Sequence, residues 1–204
     1  DLSKEYGLVL EGGGAKGAYQ IGAWKALKEA GVKIRGVSGT SVGALNGALI
    51  CMDDLEKAEN LWRNISYSQI MNVDDELMRR LFDKTKMTPE FLRETLKEVF
   101  RVLGEGGMDI TPLRRLIEEN IDEDAIRKSP VEFYSCTYSL TDRKEMNVDM
   151  KTVPEGQMKD MLLASAYLPG FKNKKLHGKT YVDGGATNVL PMDVLLEQGY
   201  ENLI

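Results

Sequence analysis

Histidine is almost absent from this sequence: His177 is the only one among 204 residues. His-rich metal sites are thereby excluded, and any serine-histidine-acid triad has a single candidate for its base. Cysteine is scarce as well. Cys51 and Cys136 are too few for a disulfide scaffold and do not form a metal-ligand spacing, so both read as small buried hydrophobes in a reducing compartment. Long apolar runs are missing. None approaches the ~20 residues a membrane-spanning helix needs, so any contact with a bilayer is expected to be peripheral. Nor is there a basic block: 27 Lys and Arg stand against 32 Asp and Glu, mixed along the chain with a net charge of -5. Nothing there matches a phosphate backbone, and no nucleic-acid partner is expected. The opening "DLSKEYG" lacks a signal-peptide pattern, which points to a cytoplasmic address, peripheral to the membrane at most.

The length suits one α/β domain, and a single domain over residues 1–204 is the expectation. Asp1 is not a start methionine and the final "YENLI" reads as the opening of a strand, so the chain is expected to be trimmed at both ends. Residues 6–10 read as a short buried strand and 18–30 as a helix, with Ile21, Trp24 and Leu27 at helical spacing before Gly31. The pattern repeats, with a strand at 33–38, a sharp turn at 39–43 and a small-residue helix at 42–52. Strand, glycine turn and helix, twice over, predict a mostly parallel sheet wound by right-handed crossovers. A helical region comes next, in which Thr88-Pro89 and Thr111-Pro112 each supply an N-cap and a proline at the first helical position. Residues 66–86 and 104–107 are weakly patterned and are the place for a mobile lid. Strands at 131–138 and 145–149, a helix at 157–167 and a short strand at 180–182 complete the reading.

The stretch "LVLEGGGAKGAYQIGAWKAL" asks which anion its glycines hold. Gly12, Gly14 and Gly17 satisfy GxGxxG after a strand, formally a dinucleotide fingerprint. The second strand, Ile34-Arg35-Gly36-Val37-Ser38, ends without the carboxylate that would bind a ribose. Walker A fails too, because Lys16 is followed by Gly17. The second strand leads instead into Gly39-Thr40-Ser41-Val42-Gly43, a GxSxG that projects a serine from a strand-to-helix turn toward a helix N-terminus. Ser41 is therefore the candidate nucleophile. A serine attacking an ester makes an oxyanion, and the backbone amides of Gly12, Gly13 and Gly14 can converge on it. The anion is then transient, the tetrahedral intermediate.

The base is less direct. His177 lies in "KNKKLHGKTY", which reads as an exposed turn. Asp183 closes a short strand and is followed by Gly184 and Gly185, which let the backbone there crowd against another loop. A carboxylate can serve a hydroxyl only when partly desolvated, so Asp183 would need a mostly closed cleft. An Asp-Gly hairpin turn is the plain alternative for the same residues.

Together, "GGGAKG", "GTSVG", "ASAYLPGF" (residues 164–171) and "DGG" resemble, in order and separation, the patatin-like phospholipase family in its bacterial-type form. The resemblance spans nearly the whole chain. It implies a three-layer α/β/α fold with a helical insert and a Ser-Asp dyad that cleaves fatty acyl esters of phospholipids, lysophospholipids or related lipids. Carried over, Ser41 is the nucleophile, Asp183 the base, and Gly12, Gly13 and Gly14 the oxyanion hole. Lys16 stands where the family usually has arginine, keeping the charge as an anion or head-group contact but losing the bidentate fork. No metal or other cofactor is implied. The expected partner is a lipid or acyl-ester substrate, with Met71, Met78, Leu81, Phe82 and Met87 offering flexible apolar contact to acyl chains or a bilayer, or equally the core of a helical insert. Two other readings stay open: a serine-histidine-acid esterase using His177, and a non-catalytic lipid-binding module of the same fold.

Overall fold

The computed structural model describes residues 1–71, 74–76, 88, 93, 97, 101 and 104–204. In chain order its main elements are β1 (Glu5–Leu10), α1 (Gly17–Glu29), β2 (Lys33–Thr40), α2 (Val42–Met52), α3 (Leu55–Asn64), α4 (Thr111–Asn120), α5 (Glu123–Lys128), β3 (Glu132–Ser139), β4 (Lys144–Asp149), α6 (Met158–Ser165), β5 (Tyr181–Asp183) and α7 (Asp193–Glu197). Of the expected lid, residues 72, 73 and 77–86 fall outside the described residues, Met78, Leu81 and Phe82 among them, as do Pro89 and Met87.

β1, β2 and β3 pair in parallel, in that order, and β4 and β5 both pair antiparallel to β3. The parallel half arises from the two βα repeats. β4 is antiparallel because its connection to β3 is too short for a crossover helix, whereas β5 returns to β3 only after α6. β2 is buried continuously from Gly36 to Thr40, as a strand covered on both faces must be. On one face Leu8, Leu10, Val37 and Phe133 pack with α2, α4 and α6; on the other, Tyr134 and Val9 meet Val194, Leu195 and Tyr200. The result is three layers, helix, sheet and helix. Phe133 and Leu162 are wholly buried in the larger core, where truncation to alanine costs about 2–5 kcal/mol.

α2 can sit against the sheet because neither Gly43 in its first turn nor Gly39 on β2 has a side chain to hold it off: a Cβ on Gly43 would lie 2.1 Å from the Leu10 carbonyl oxygen, and one on Gly39 would lie 2.3 Å from that of Gly43. The sharp turn expected over 39–43 narrows to one residue, Ser41, since β2 continues to Thr40. α3 and α5 are capped by Asp54 and Asp122, whose carboxylates accept from Lys57 N and Ala125 N. At α4 the expected cap moves by one: Thr111 is already helical, Pro112 comes after it, and Asp109 accepts from both the amide and the hydroxyl of Thr111.

Candidate active site

The register on β3 explains how two residues far apart in sequence meet. β2 ends with Thr40 opposite Cys136, and β5 ends with Asp183 opposite the next residue, Thr137. β4 occupies the other edge of β3 from Tyr134 to Ser139, so β2 and β5 must share one edge, end to end. Ser41 leaves that edge where Asp183 arrives.

Ser41 holds φ 56° and ψ -122°, a conformation L residues rarely adopt, and its side chain makes no helix-capping bond. Its hydroxyl is thus left for other work, while strain is stored at the turn. Its amide donates to Ser165 Oγ at 2.9 Å, and that hydroxyl donates in turn to the Cys136 carbonyl. Ser165, fully buried at the end of α6, fills the place in the ladder where β2 departs and β5 has not yet begun.

Asp183 is 5% exposed. Its amide donates to the Tyr167 carbonyl at 2.8 Å, and its Oδ1 accepts from Gly185 N at 2.7 Å. Burial raises its carboxyl above the ordinary carboxylate range, and the Ser41 hydroxyl facing it, with the Gly185 amide, offsets part of that rise. Asp183 Oδ2 is buried without a hydrogen-bond partner among the described residues. A carboxyl with one oxygen braced and the other uncommitted is set up to accept a proton. The hairpin alternative for Asp183-Gly184 does not hold, because β5 runs into a single 3-10 turn.

In the glycine loop, Gly12 N donates to the Val189 carbonyl at 2.9 Å. The amides of Gly13 and Gly14 have no acceptor among the described residues, and both glycines are exposed where they line the cavity beside Ser41. Gly14 sits at φ 58°, which a side chain would strain. Lys16 is exposed at the same rim, its methylenes over Gly13.

A strap made by residues 184–191 fixes these parts together. Thr40 Oγ1 donates to the Asn188 carbonyl at 2.8 Å, Asn188 N donates to the Gly184 carbonyl at 2.8 Å, and Ser38 Oγ donates to the Pro191 carbonyl at 2.7 Å. Asn188 Nδ2 is anchored on Glu145 and Asp193. The serine turn, the glycine loop and the Asp183 turn thus share one set of hydrogen bonds. Asn188 does not stand out in the sequence, and Ser165 does so only as a member of the block "ASAYLPGF", which carries no hint of its bond to Ser41 N.

The cavity in front of Ser41 has a volume of about 770 Å³ and lies between α2, α3 and α4. Its one deeply buried polar wall residue, Asn46, donates to Gly17 O and Gln20 Oε1 and accepts from Trp62 Nε1. Gln20 reaches on to the Glu11 carbonyl at 2.7 Å, just before the glycine loop. His177 lies elsewhere. It is exposed, at φ 49°, with Nε2 2.7 Å from Asp160 Oδ2, and Asp160 also holds Arg114. It does not line the cavity. Among the described residues no group of three or more His, Cys, Asp or Glu is arranged to hold a metal ion.

The family profile for patatin-like phospholipase matches residues 8–196. Neuropathy target esterase sws of Drosophila melanogaster is 27% identical over 202 residues, 97% of this chain and 12% of that protein. The patatin-like phospholipase domain-containing protein ZK370.4 of Caenorhabditis elegans is 28% identical over 193 residues, 95% of this chain and 13% of that protein. Lysophospholipase nte1 of Aspergillus terreus is 56% identical over 50 residues, 24% of this chain and 3% of that protein. The chain therefore spans about an eighth or less of the length of these relatives. VipD from Legionella pneumophila shares the fold, with a TM-score of 0.55 at 17% identity over 88% of this chain and 46% of that one. With the match running from β1 to α7, through both the serine turn and the strand that brings in Asp183, the chain belongs to the patatin-like phospholipase family.

Proposed function

We propose that this chain is a serine acyl hydrolase that cleaves fatty acyl esters of phospholipids, lysophospholipids or related lipids. The observation that carries the reading is the meeting of Ser41 and Asp183 on one edge of β3, with Ser41 in the wall of an apolar cavity. As Ser41 Oγ attacks the ester carbonyl carbon, its proton passes to the Asp183 carboxylate and the carbonyl electrons move onto oxygen. The amides of Gly13 and Gly14, with the N-terminus of α2, stabilise that oxyanion. Collapse breaks the bond to the alcohol oxygen, which takes the proton back from Asp183 and leaves the acyl group on Ser41. Water then attacks the acyl carbon, giving a proton to Asp183, and the fatty acid departs as that proton returns to Ser41 Oγ.

Lys16, a charged group at the mouth, is suited to an anionic head group. Leu168, which lines the cavity and is also exposed, marks the side from which a lipid enters. No helix of the described residues is long and apolar enough to cross a membrane, so the contact with a bilayer is proposed to be peripheral. The test is labelling with a fluorophosphonate probe beside release of fatty acid from lysophospholipid. Wild type is expected to label and turn over, and Ser41→Ala to do neither; turnover that survives Ser41→Ala would end this reading.

A further inference from the structure

The wall of the cavity is not random. Val42, Leu45, Asn46 and Leu49 line it from α2, and their spacing of i, i+3, i+4 and i+7 is one face of a helix. α2 begins at the nucleophile and runs away from it. Leu49 is eight residues beyond Ser41, which at 1.5 Å per residue places it roughly 12 Å down the helix, and Leu45 roughly 6 Å. Asn46 does not interrupt the apolar stripe, because its amide is fully used by Gly17, Gln20 and Trp62. Leu49 is 1% exposed, and Leu113 and Leu116 of α4 line the same cavity.

From this geometry we infer that α2 is a ruler for the acyl chain, with Leu49 setting how long a chain is fully sheltered. The inference rests on the acyl-hydrolase reading for the position of the ester, and it names the substrate class of that site. With the ester carbon at Ser41, the tail lies along the α2 stripe. An extended chain advances roughly 1.2 Å per bond, so about ten carbons reach the level of Leu49 and about five reach Leu45. Acyl groups of medium length and longer are the substrates the cavity rewards. Each methylene buried up to that level is expected to improve binding roughly two- to fourfold.

Two measurements test the ruler separately from the chemistry. In Ser41→Ala, calorimetry with free fatty acids of 4 to 16 carbons is expected to show affinity rising with length. The rise should level off at about ten carbons with Leu49 in place, at about seven in Leu49→Trp and at about four in Leu45→Trp, since the larger side chain takes up the space of roughly two or three methylenes. In the intact enzyme, Leu49→Trp is expected to lower the ratio of kcat/KM for decanoyl over butyryl ester more than tenfold, and Leu45→Trp to lower the hexanoyl ratio similarly. A folding defect would depress all lengths together, so the graded break is the signature. The ruler is overturned if affinity does not depend on length, or if both substitutions scale the whole series down in parallel. If the binding series behaves as expected while ester hydrolysis does not depend on Ser41, the ruler stands and the catalytic reading falls.

Discussion

Ser41 and Asp183 reach the same edge of β3 from opposite chain directions, Ser41 at the end of a parallel strand and Asp183 at the end of an antiparallel one. A strand edge can be shared in this way only if the first neighbour stops where the second starts. The two side chains are thus placed by backbone pairing, the most rigid device the fold has.

The buried carboxyl of Asp183 sets a trade between activity and stability. Its proton is held more tightly in the folded chain than in the unfolded one. Folded stability from this group is therefore fullest below the ordinary carboxylate range and is lost as pH rises through the raised value. Activity runs the other way, since only the carboxylate accepts a proton. Asp183→Asn is expected to melt higher than wild type at neutral pH while hydrolysis falls about 10³-fold or more. Calorimetry beside a pH–rate profile checks both, and the wild-type rate should climb with pH above the ordinary carboxylate range.

Ser41 itself stores strain. With φ 56° and no capping bond from its side chain, Ser41→Gly is expected to remove the nucleophile and stabilise the fold by about 1–3 kcal/mol. For a chain of this size that is about 2–4 °C per kcal/mol in thermal unfolding. A lower melting point than that of Ser41→Ala would show that the turn is relaxed.

Ser165 touches no substrate in the proposed reaction, yet it holds the Ser41 amide and the Cys136 carbonyl with one hydroxyl. Ser165→Ala leaves both buried groups unpaired and lets the elbow shift. Steady-state kinetics is expected to show kcat reduced about tenfold with KM nearly constant, because position is lost and the acyl cavity is not. A rise in KM with kcat unchanged would place Ser165 in substrate binding instead.

His177 belongs to an exposed cluster with Asp160 and Arg114. His177→Ala is expected to keep full esterase activity and to cost less than about 1 kcal/mol of stability, the usual worth of a surface pair. Loss of turnover in this variant, with folding intact by circular dichroism, would restore the serine-histidine reading.

Features with a local cause are legible in the sequence. The βα repeats, the serine turn and the glycine loop each write their geometry into neighbouring residues, and β1, α2 and Asp183 lie where spacing placed them. Features with causes distant in the chain are not. The bond that engages the Gly12 amide depends on the carbonyl of Val189, and the hold on Ser41 depends on Ser165. The antiparallel pairing of β5 likewise depends on where it lands on β3, which no period within the strand encodes.

The strap bears on the order of events during synthesis. Thr40 bonds to Asn188 across 148 residues, and contacts of that span form late in folding. Until the strap docks, the serine turn and the glycine loop have no acid beside them. Everything between Thr40 and Asn188 must therefore be in place before the proposed nucleophile can meet its proposed base, so the pair is assembled only as the fold closes.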